Sequence, residues 1–154
     1  MTLPQPQPPL FILYAVIALL LGLKALLLGA ATAARRGRLK QFLNEEDAVW
    51  LGGAYANPDP EPVARLGRAH RNDLENLLLF ALSGGLYLLT GASFFIGAVC
   101  YLIFFLARLA HTLAYLTRRP RLRRNAYIAG FVVIAVMSLY GIACLVWLAV
   151  TGGG

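Results

Sequence analysis

Apolar residues form four long runs along the chain, and polar segments separate them. The runs cover residues 10–34, 68–90, 94–116 and 126–150, to within a few residues. Each is long enough to supply the roughly 20 residues of helix that cross a bilayer. One charged residue, Lys24, interrupts the first run. The pattern predicts an all-α protein, an integral membrane four-helix bundle.

The segments between the runs differ greatly in length. Only a short turn, "TGAS", joins the second and third runs, whereas residues 35–67 are long and polar and contain "NPDPEP". The prolines in that stretch exclude a continuous helix. We expect the long segment to fold as a cap over one end of the bundle, within a single domain over residues 1–154.

The composition agrees with a membrane protein. Of 154 residues, 59% are hydrophobic and 14% are charged, which is more apolar surface than one small water-soluble core can bury, so lipid must cover the rest. Cys100 and Cys144 lie in separate apolar runs without metal-ligand spacing. We therefore expect no metal site and no disulfide, and interpret both cysteines as packing residues.

The net charge of +7 is concentrated in two segments. Lysine and arginine follow the first run and fill the space between the third and fourth, whereas the termini and the "TGAS" turn carry neither. By the positive-inside rule, both basic segments are predicted to be cytoplasmic and both termini outside. The basic residues are not interleaved with aromatic residues as in RNA-binding motifs, so nucleic acid is not expected as a partner. Some of these arginines are expected to contact lipid headgroups.

Two stripes of polar residues lie at the predicted cytoplasmic end. Helical i, i+3, i+4, i+7 spacing places each stripe on one helix face; they are Arg68, Arg71, Asn72 and Glu75 in the second run, and Arg108, His111, Thr112 and Tyr115 in the third. Arg71 and Glu75 also have the spacing of a helical ion pair. Charges inside a membrane cost roughly 2.5–3.5 kcal/mol each unless paired or hydrated, so they indicate either a ligand pathway or a network that holds helices together. Arginines outnumber the nearby acids, which favours an anionic ligand.

Three segments carry a resemblance to a known family. They are "FLNEEDAVWLGG" from Phe42, "RAHRNDLENLLLF" from Arg68 and "RLAHTLAYL" from Arg108. Together they resemble the membrane-associated proteins in eicosanoid and glutathione metabolism (the MAPEG family), in the branch of microsomal prostaglandin E synthase and microsomal glutathione transferase. The resemblance implies a homotrimer that binds glutathione at the cytoplasmic end, between adjacent protomers, and takes a lipophilic substrate from the bilayer.

The family motifs also imply which residues bind glutathione. The residues matched to its binding motifs are Arg36, Arg71, Asn72, Glu75, His111 and Tyr115, with Arg68 and Arg108 framing the same pocket. Arginines suit the two carboxylates of glutathione and Glu75 suits its ammonium group. For His70 and Asp73 two roles remain open: each either supports the binding residues or lies on the helix surface.

The resemblance assigns activation of the glutathione thiol to an arginine. Counting thirteen residues beyond His111 gives Arg124, and Arg123 is the alternative if the loop holds an insertion. A guanidinium near a thiol favours the thiolate. Asn125 and the unsatisfied amides of the first helical turn near it are expected to assist. Asp47 matches an aspartate near the catalytic arginine of the prostaglandin synthase, although a capping or loop role is the alternative.

Two departures from the prostaglandin synthase pattern affect the expected activity. That pattern has serine where this chain has Asn125, and tyrosine where it has Leu78. The expected function is therefore a glutathione-dependent transferase acting on lipophilic electrophiles, with lipid hydroperoxide reduction as a further activity. The alternatives are prostaglandin-type isomerisation and a non-catalytic lipid-binding scaffold.

Overall fold

The computed structural model describes residues 6–91 and 93–151, and these form a largely helical chain. In chain order, the elements are α1 Pro8–Leu39, β1 Gln41–Phe42, α2 Glu45–Leu51, β2 Ala54–Tyr55, α3 Glu61–Leu89, α4 Phe94–Leu116 and α5 Pro120–Thr151. The four long helices α1, α3, α4 and α5 pack together as a bundle.

Three of the long helices extend beyond the apolar runs that predicted them. The first continues to Leu39, the second begins at Glu61 rather than near residue 68, and the fourth begins at Pro120 rather than near residue 126. Hydrophobicity alone misses these turns because they carry the charged residues. Proline suits the first turn of a helix, where its missing N–H costs no hydrogen bond, so Pro120 and Pro62 mark helix starts.

The segment between α1 and α3 folds into a small cap, residues 41–55. Its two short strands pair in parallel, Gln41 with Ala54 and Phe42 with Tyr55, and α2 connects them. Gly53 allows the chain to close, because a Cβ there would lie 2.5 Å from the carbonyl oxygen of Lys40.

An aromatic cluster forms the centre of the bundle. The rings of Phe80 and Phe104 stack with 4.4 Å between centroids, and Tyr101 meets Phe80 edge-on. The Tyr101 hydroxyl donates to the carbonyl oxygen of Gly84 at 2.8 Å. These side chains pack α3 against α4.

Within residues 6–91 and 93–151, three helices are long and apolar enough to cross a membrane: α1, α4 and α5. Their outer surfaces expose many large apolar side chains, such as Leu26 and Phe95. The remaining predicted span, α3, is long enough, but its first half is rich in polar residues. The chain is a multi-pass integral membrane protein.

Candidate functional site

An open cavity lies between α3, α4 and α5, near the start of α5. Its volume is about 450 Å³, which is in the range of small-molecule sites. The side chains that line this basic cavity are Arg68, Asn72, His111, Tyr115, Arg123, Arg124 and Tyr127. The structure thus brings together Arg68, Asn72, His111, Tyr115 and Arg124, all predicted from the sequence.

Helical spacing explains how three helices form this wall. Each helix contributes a pair of residues four positions apart, and such pairs lie on one face. The pairs are Arg68 and Asn72 on α3, His111 and Tyr115 on α4, and Arg123 and Tyr127 on α5. Packing of the bundle turns these three faces towards one another.

The cavity is strongly positive. Arg68, Arg123 and Arg124 line it, and no lining residue is acidic. Arg68 donates to Glu61 at the rim, at 2.9 and 3.1 Å, and this hydrogen bonding lowers the pKa of Glu61. The guanidinium of Arg123 lies over the ring of Tyr115, 4.8 Å from its centroid. In the described part of the chain, Arg124 has no carboxylate partner, so its donors are available to an anion.

His111 forms a buried part of the cavity wall. It is 3% exposed, and its Nδ1 is buried without a hydrogen-bond partner among the described residues. Its ring contacts those of Tyr115 and Tyr127, with centroids 5.1 and 6.5 Å away. Buried polar atoms are usually hydrogen-bonded, so an unpaired atom at a cavity wall indicates a place for a ligand or an ordered water.

An apolar groove between α3 and α5 adjoins the basic cavity. A second cavity of about 260 Å³ shares Asn72 and Tyr127 with it and also contacts Glu75. A third, of about 270 Å³, shares Leu79 and Ile134 with the second and is otherwise mainly aliphatic. The polar site therefore adjoins a largely apolar groove along the bundle.

Two predicted residues of α3 do not line the basic cavity. Arg71 and Glu75 are both exposed, and Arg71 lines none of the cavities described above. The ion pair suggested by their spacing does not form: no Arg71–Glu75 pair occurs within residues 6–91 and 93–151.

Arg36 and Asp47 lie at the junction of α1 with the cap. Arg36 binds Asp59 through two hydrogen bonds, Nε to Oδ1 at 2.9 Å and Nη2 to Oδ2 at 2.6 Å. Asp47 accepts a hydrogen bond from Asn44 at 3.0 Å, near the start of α2. Neither residue lines the basic cavity of its own chain.

The prediction for the amides near Asn125 is wrong. Because Pro120 begins α5, Asn125 lies in the second turn, where its N–H belongs to the regular helical hydrogen bonding. The free amides of a helix start belong to its first turn, which precedes Asn125. The side chain of Asn125 is exposed and does not line the cavity.

A buried ionic cluster lies behind the cavity. Lys24 Nζ is 2.9 Å from Asp73 Oδ2 and donates to Thr112 Oγ1 at 3.0 Å. Arg108 is 1% exposed, and its Nη2 donates to Asn72 Oδ1 at 2.9 Å. Arg108 therefore supports a cavity residue from behind instead of lining the cavity.

The sequence pattern does not reveal this cluster. Helical spacing alone leaves Asp73 open between a supporting role and the helix surface, and in the structure it is 4% exposed. In the sequence, Lys24 is visible only as one charge that interrupts an apolar run. One feature of the sequence could have indicated the cluster: a single charge inside an apolar run, such as Lys24, normally pairs with a charge on another helix.

Relatives with known names match most of this chain. The model of the MAPEG family matches residues 14–143. Human prostaglandin E synthase is 36% identical over 137 residues, which cover 88% of each chain. Horse prostaglandin E synthase is 37% identical over 127 residues, covering 82% of this chain and 83% of the relative. Rat microsomal glutathione S-transferase 1 is 39% identical over 133 residues, covering 83% and 84%. With the helical bundle and the matched motifs around its cavity, the chain belongs to the MAPEG family.

Proposed function

We propose that this protein is a glutathione-dependent membrane transferase that activates the glutathione thiol for attack on lipophilic electrophiles. The observation that carries the proposal is that the basic cavity lies beside the apolar groove, with Asn72 and Tyr127 lining both. One part suits a charged tripeptide and the other suits a substrate that arrives from the bilayer.

The cavity residues fit glutathione chemically. Its two carboxylates match the guanidinium groups, which bind carboxylates through paired hydrogen bonds. His111 Nδ1, buried and unpaired, offers a further polar contact. Glu75 lines the groove beside the basic cavity and is available to the ammonium group. Asn72 lines both parts, so it lies where the polar and apolar substrates would meet.

The same proposal includes assembly of the chain as a homotrimer, with glutathione bound between adjacent protomers. Arg71 and Glu75 are charged and exposed on a membrane protein, and an adjacent protomer would cover them and place them beside glutathione. Arg36 and Asp47 lie on the α1–cap junction, so their roles in binding and catalysis also depend on a neighbouring protomer. We place this site at the cytoplasmic end.

In the reaction, Arg124 favours the thiolate and the thiol proton passes to solvent. The sulfur attacks an electrophilic carbon, a carbon–sulfur bond forms, and the leaving group departs with the bonding electrons. With a lipid hydroperoxide, two glutathione molecules are oxidised to the disulfide, and the peroxide is reduced to an alcohol and water.

Prostaglandin-type isomerisation is the second candidate. It is supported by the relatives named prostaglandin E synthase, which match more than four fifths of the chain. Against it stand Asn125 and Leu78, at positions where that synthase pattern has serine and tyrosine.

The test uses the purified protein in detergent with glutathione and three substrates: an aryl halide, a lipid hydroperoxide and a prostaglandin endoperoxide. We expect glutathione binding, conjugation of the halide and reduction of the hydroperoxide, and a native mass of three chains. Isomerisation of the endoperoxide without conjugation would support the second candidate. Absence of glutathione binding would contradict both and favour a lipid-binding scaffold.

A further inference from the structure

The buried cluster behind the cavity holds more positive than negative charge. Lys24 and Arg108 each carry one positive charge, and Asp73 carries the negative charge between them. Lys24 Nζ bonds Asp73 directly, whereas Arg108 Nε is 3.7 Å from the same carboxylate. The side chains of Asp73 and Arg108 are 3% and 2% exposed, so water screens their charges little. The cluster therefore carries an excess of one positive charge.

Arg108 holds part of this excess, and two of its three guanidinium nitrogens make no hydrogen bond within the described part of the chain. These two are Nε and Nη1, and both are buried. The remaining nitrogen, Nη2, donates to Asn72, which lines the basic cavity. The Arg108 guanidinium, which shares the one carboxylate of Asp73 with Lys24, is thus separated from the cavity by one side chain.

We propose that the Lys24–Asp73–Arg108 cluster is an electrostatic support of the cavity: its excess positive charge stabilises the thiolate of bound glutathione from behind Asn72. This inference rests on the proposed function, and it gives Lys24 and Arg108 the role of positioning residues. A unit charge roughly 10 Å away, at an effective dielectric constant of about 20, shifts a pKa by about one unit.

Other charged and titratable groups face the same cavity. They are Arg68 from α3, His111 and Tyr115 from α4, Arg123, Arg124 and Tyr127 from α5, and Glu75 in the adjoining groove. The contribution of the cluster must therefore be measured with these groups unchanged. Lys24 is suitable for that purpose, because it is on α1 and does not line the cavity.

The experiment measures the pH midpoint of glutathione thiolate formation on the protein by ultraviolet absorbance. Lys24→Gln removes one positive charge, and we expect its midpoint to rise by about one pH unit. Lys24→Arg keeps the charge and should keep the wild-type midpoint. The double variant Lys24→Gln/Asp73→Asn restores the excess of one positive charge, so its midpoint should return to within a few tenths of a unit of wild type. Removal of a whole buried ion pair is often tolerated.

Thr112→Val provides the control for structure. It removes the hydrogen bonds of Thr112 to Lys24 and Asp73 without changing any charge, so the midpoint should not move. If Lys24→Gln fails to fold, Lys24→Met replaces it as the charge-removing variant.

Three results would overturn the inference. The first is an unchanged midpoint in the folded single variant, and the second is a double variant shifted as far as the single one. The third is a purely structural outcome: neither Lys24→Gln nor Lys24→Met folds, and the double variant folds but has a shifted midpoint. In each, the wild-type protein still forms the thiolate, so the proposed function stands. Failure of the wild type to form it would overturn the proposed function as well.

Discussion

At the residue scale, Arg123 and Arg124 are neighbours in sequence but differ in their contacts. The Arg123 guanidinium rests on the ring of Tyr115, 4.8 Å from its centroid. Arg124 lines the same cavity without a carboxylate partner in the described part of the chain. A guanidinium that lies over an aromatic ring is already stabilised by a cation–π interaction, and this interaction favours its present position. The unpaired arginine is therefore the better candidate to stabilise sulfur.

We predict that Arg124→Ala raises the pKa of bound glutathione and slows conjugation at neutral pH by about 10- to 100-fold. A nearby opposite charge shifts a pKa by about one to three units, and the remaining arginines keep carboxylate binding largely intact. Stopped-flow absorbance of the thiolate and the conjugation rate measure the effect. Arg121→Ala is the matched control, because Arg121 is exposed on the same helix and does not line the cavity.

The same assay decides between the two neighbours. If Arg123→Ala abolishes the thiolate signal while Arg124→Ala leaves it intact, the catalytic assignment moves one residue back. If both variants retain the signal, activation of the thiol by α5 is wrong.

At the element scale, the cap depends on a close approach of backbone to backbone. Ala54 N–H donates to the carbonyl oxygen of Lys40 at 2.8 Å, directly after Gly53. A Cβ on Gly53 would lie 2.5 Å from that oxygen and 2.6 Å from the Phe42 ring. Because the oxygen is backbone, it cannot rotate away as a flexible side chain does.

Gly53→Ala should therefore loosen the cap at a cost of about 1–3 kcal/mol, the usual range for overpacking. We expect faster limited proteolysis within residues 41–56 and little change in the helical content of the bundle. Gly67→Ala is the matched control, since a Cβ there meets no atom within 4 Å and alanine favours the helix. Equal proteolysis of the two variants would contradict this account of the cap.

At the scale of the whole molecule, the clustering of basic residues beside the cavity predicts its orientation in the membrane. The start of α5 and the end of α1 both carry arginines, and the positive-inside rule places such segments in the cytoplasm. If α3 crosses together with α1, α4 and α5, both termini lie on the opposite side.

Cysteine accessibility labelling checks this topology. Cysteines introduced at Arg38 and Arg121 should react only from the cytoplasmic side, and those at Pro9 and Thr151 only from the other side, in a chain without Cys100 and Cys144. Labelling of Thr151→Cys from the cytoplasm would show that one helix fails to cross, and the proposed location of the site would then be wrong.

The amino-acid pattern alone was enough to predict the helical class, the membrane location and the polar faces of α3 and α4. Apolar runs of sufficient length leave lipid as the only solvent that can cover them. Residues four positions apart must share a helix face, so His111 with Tyr115 and Arg68 with Asn72 could be paired in advance. The family resemblance, now confirmed, then selected Arg124 as the candidate for the thiol.

Which of these faces meet depends on how the helices pack in three dimensions. Arg71 and Asn72 are adjacent in sequence, but Asn72 lines the cavity and Arg71 is exposed, because the rotation of α3 is set by its packing against α1, α4 and α5. Lys24 and Asp73 are 49 positions apart, so no local pattern shows that they pair. Periodicity relates residues within one helix, whereas the partner of a buried charge comes from another helix and depends on how the helices are packed.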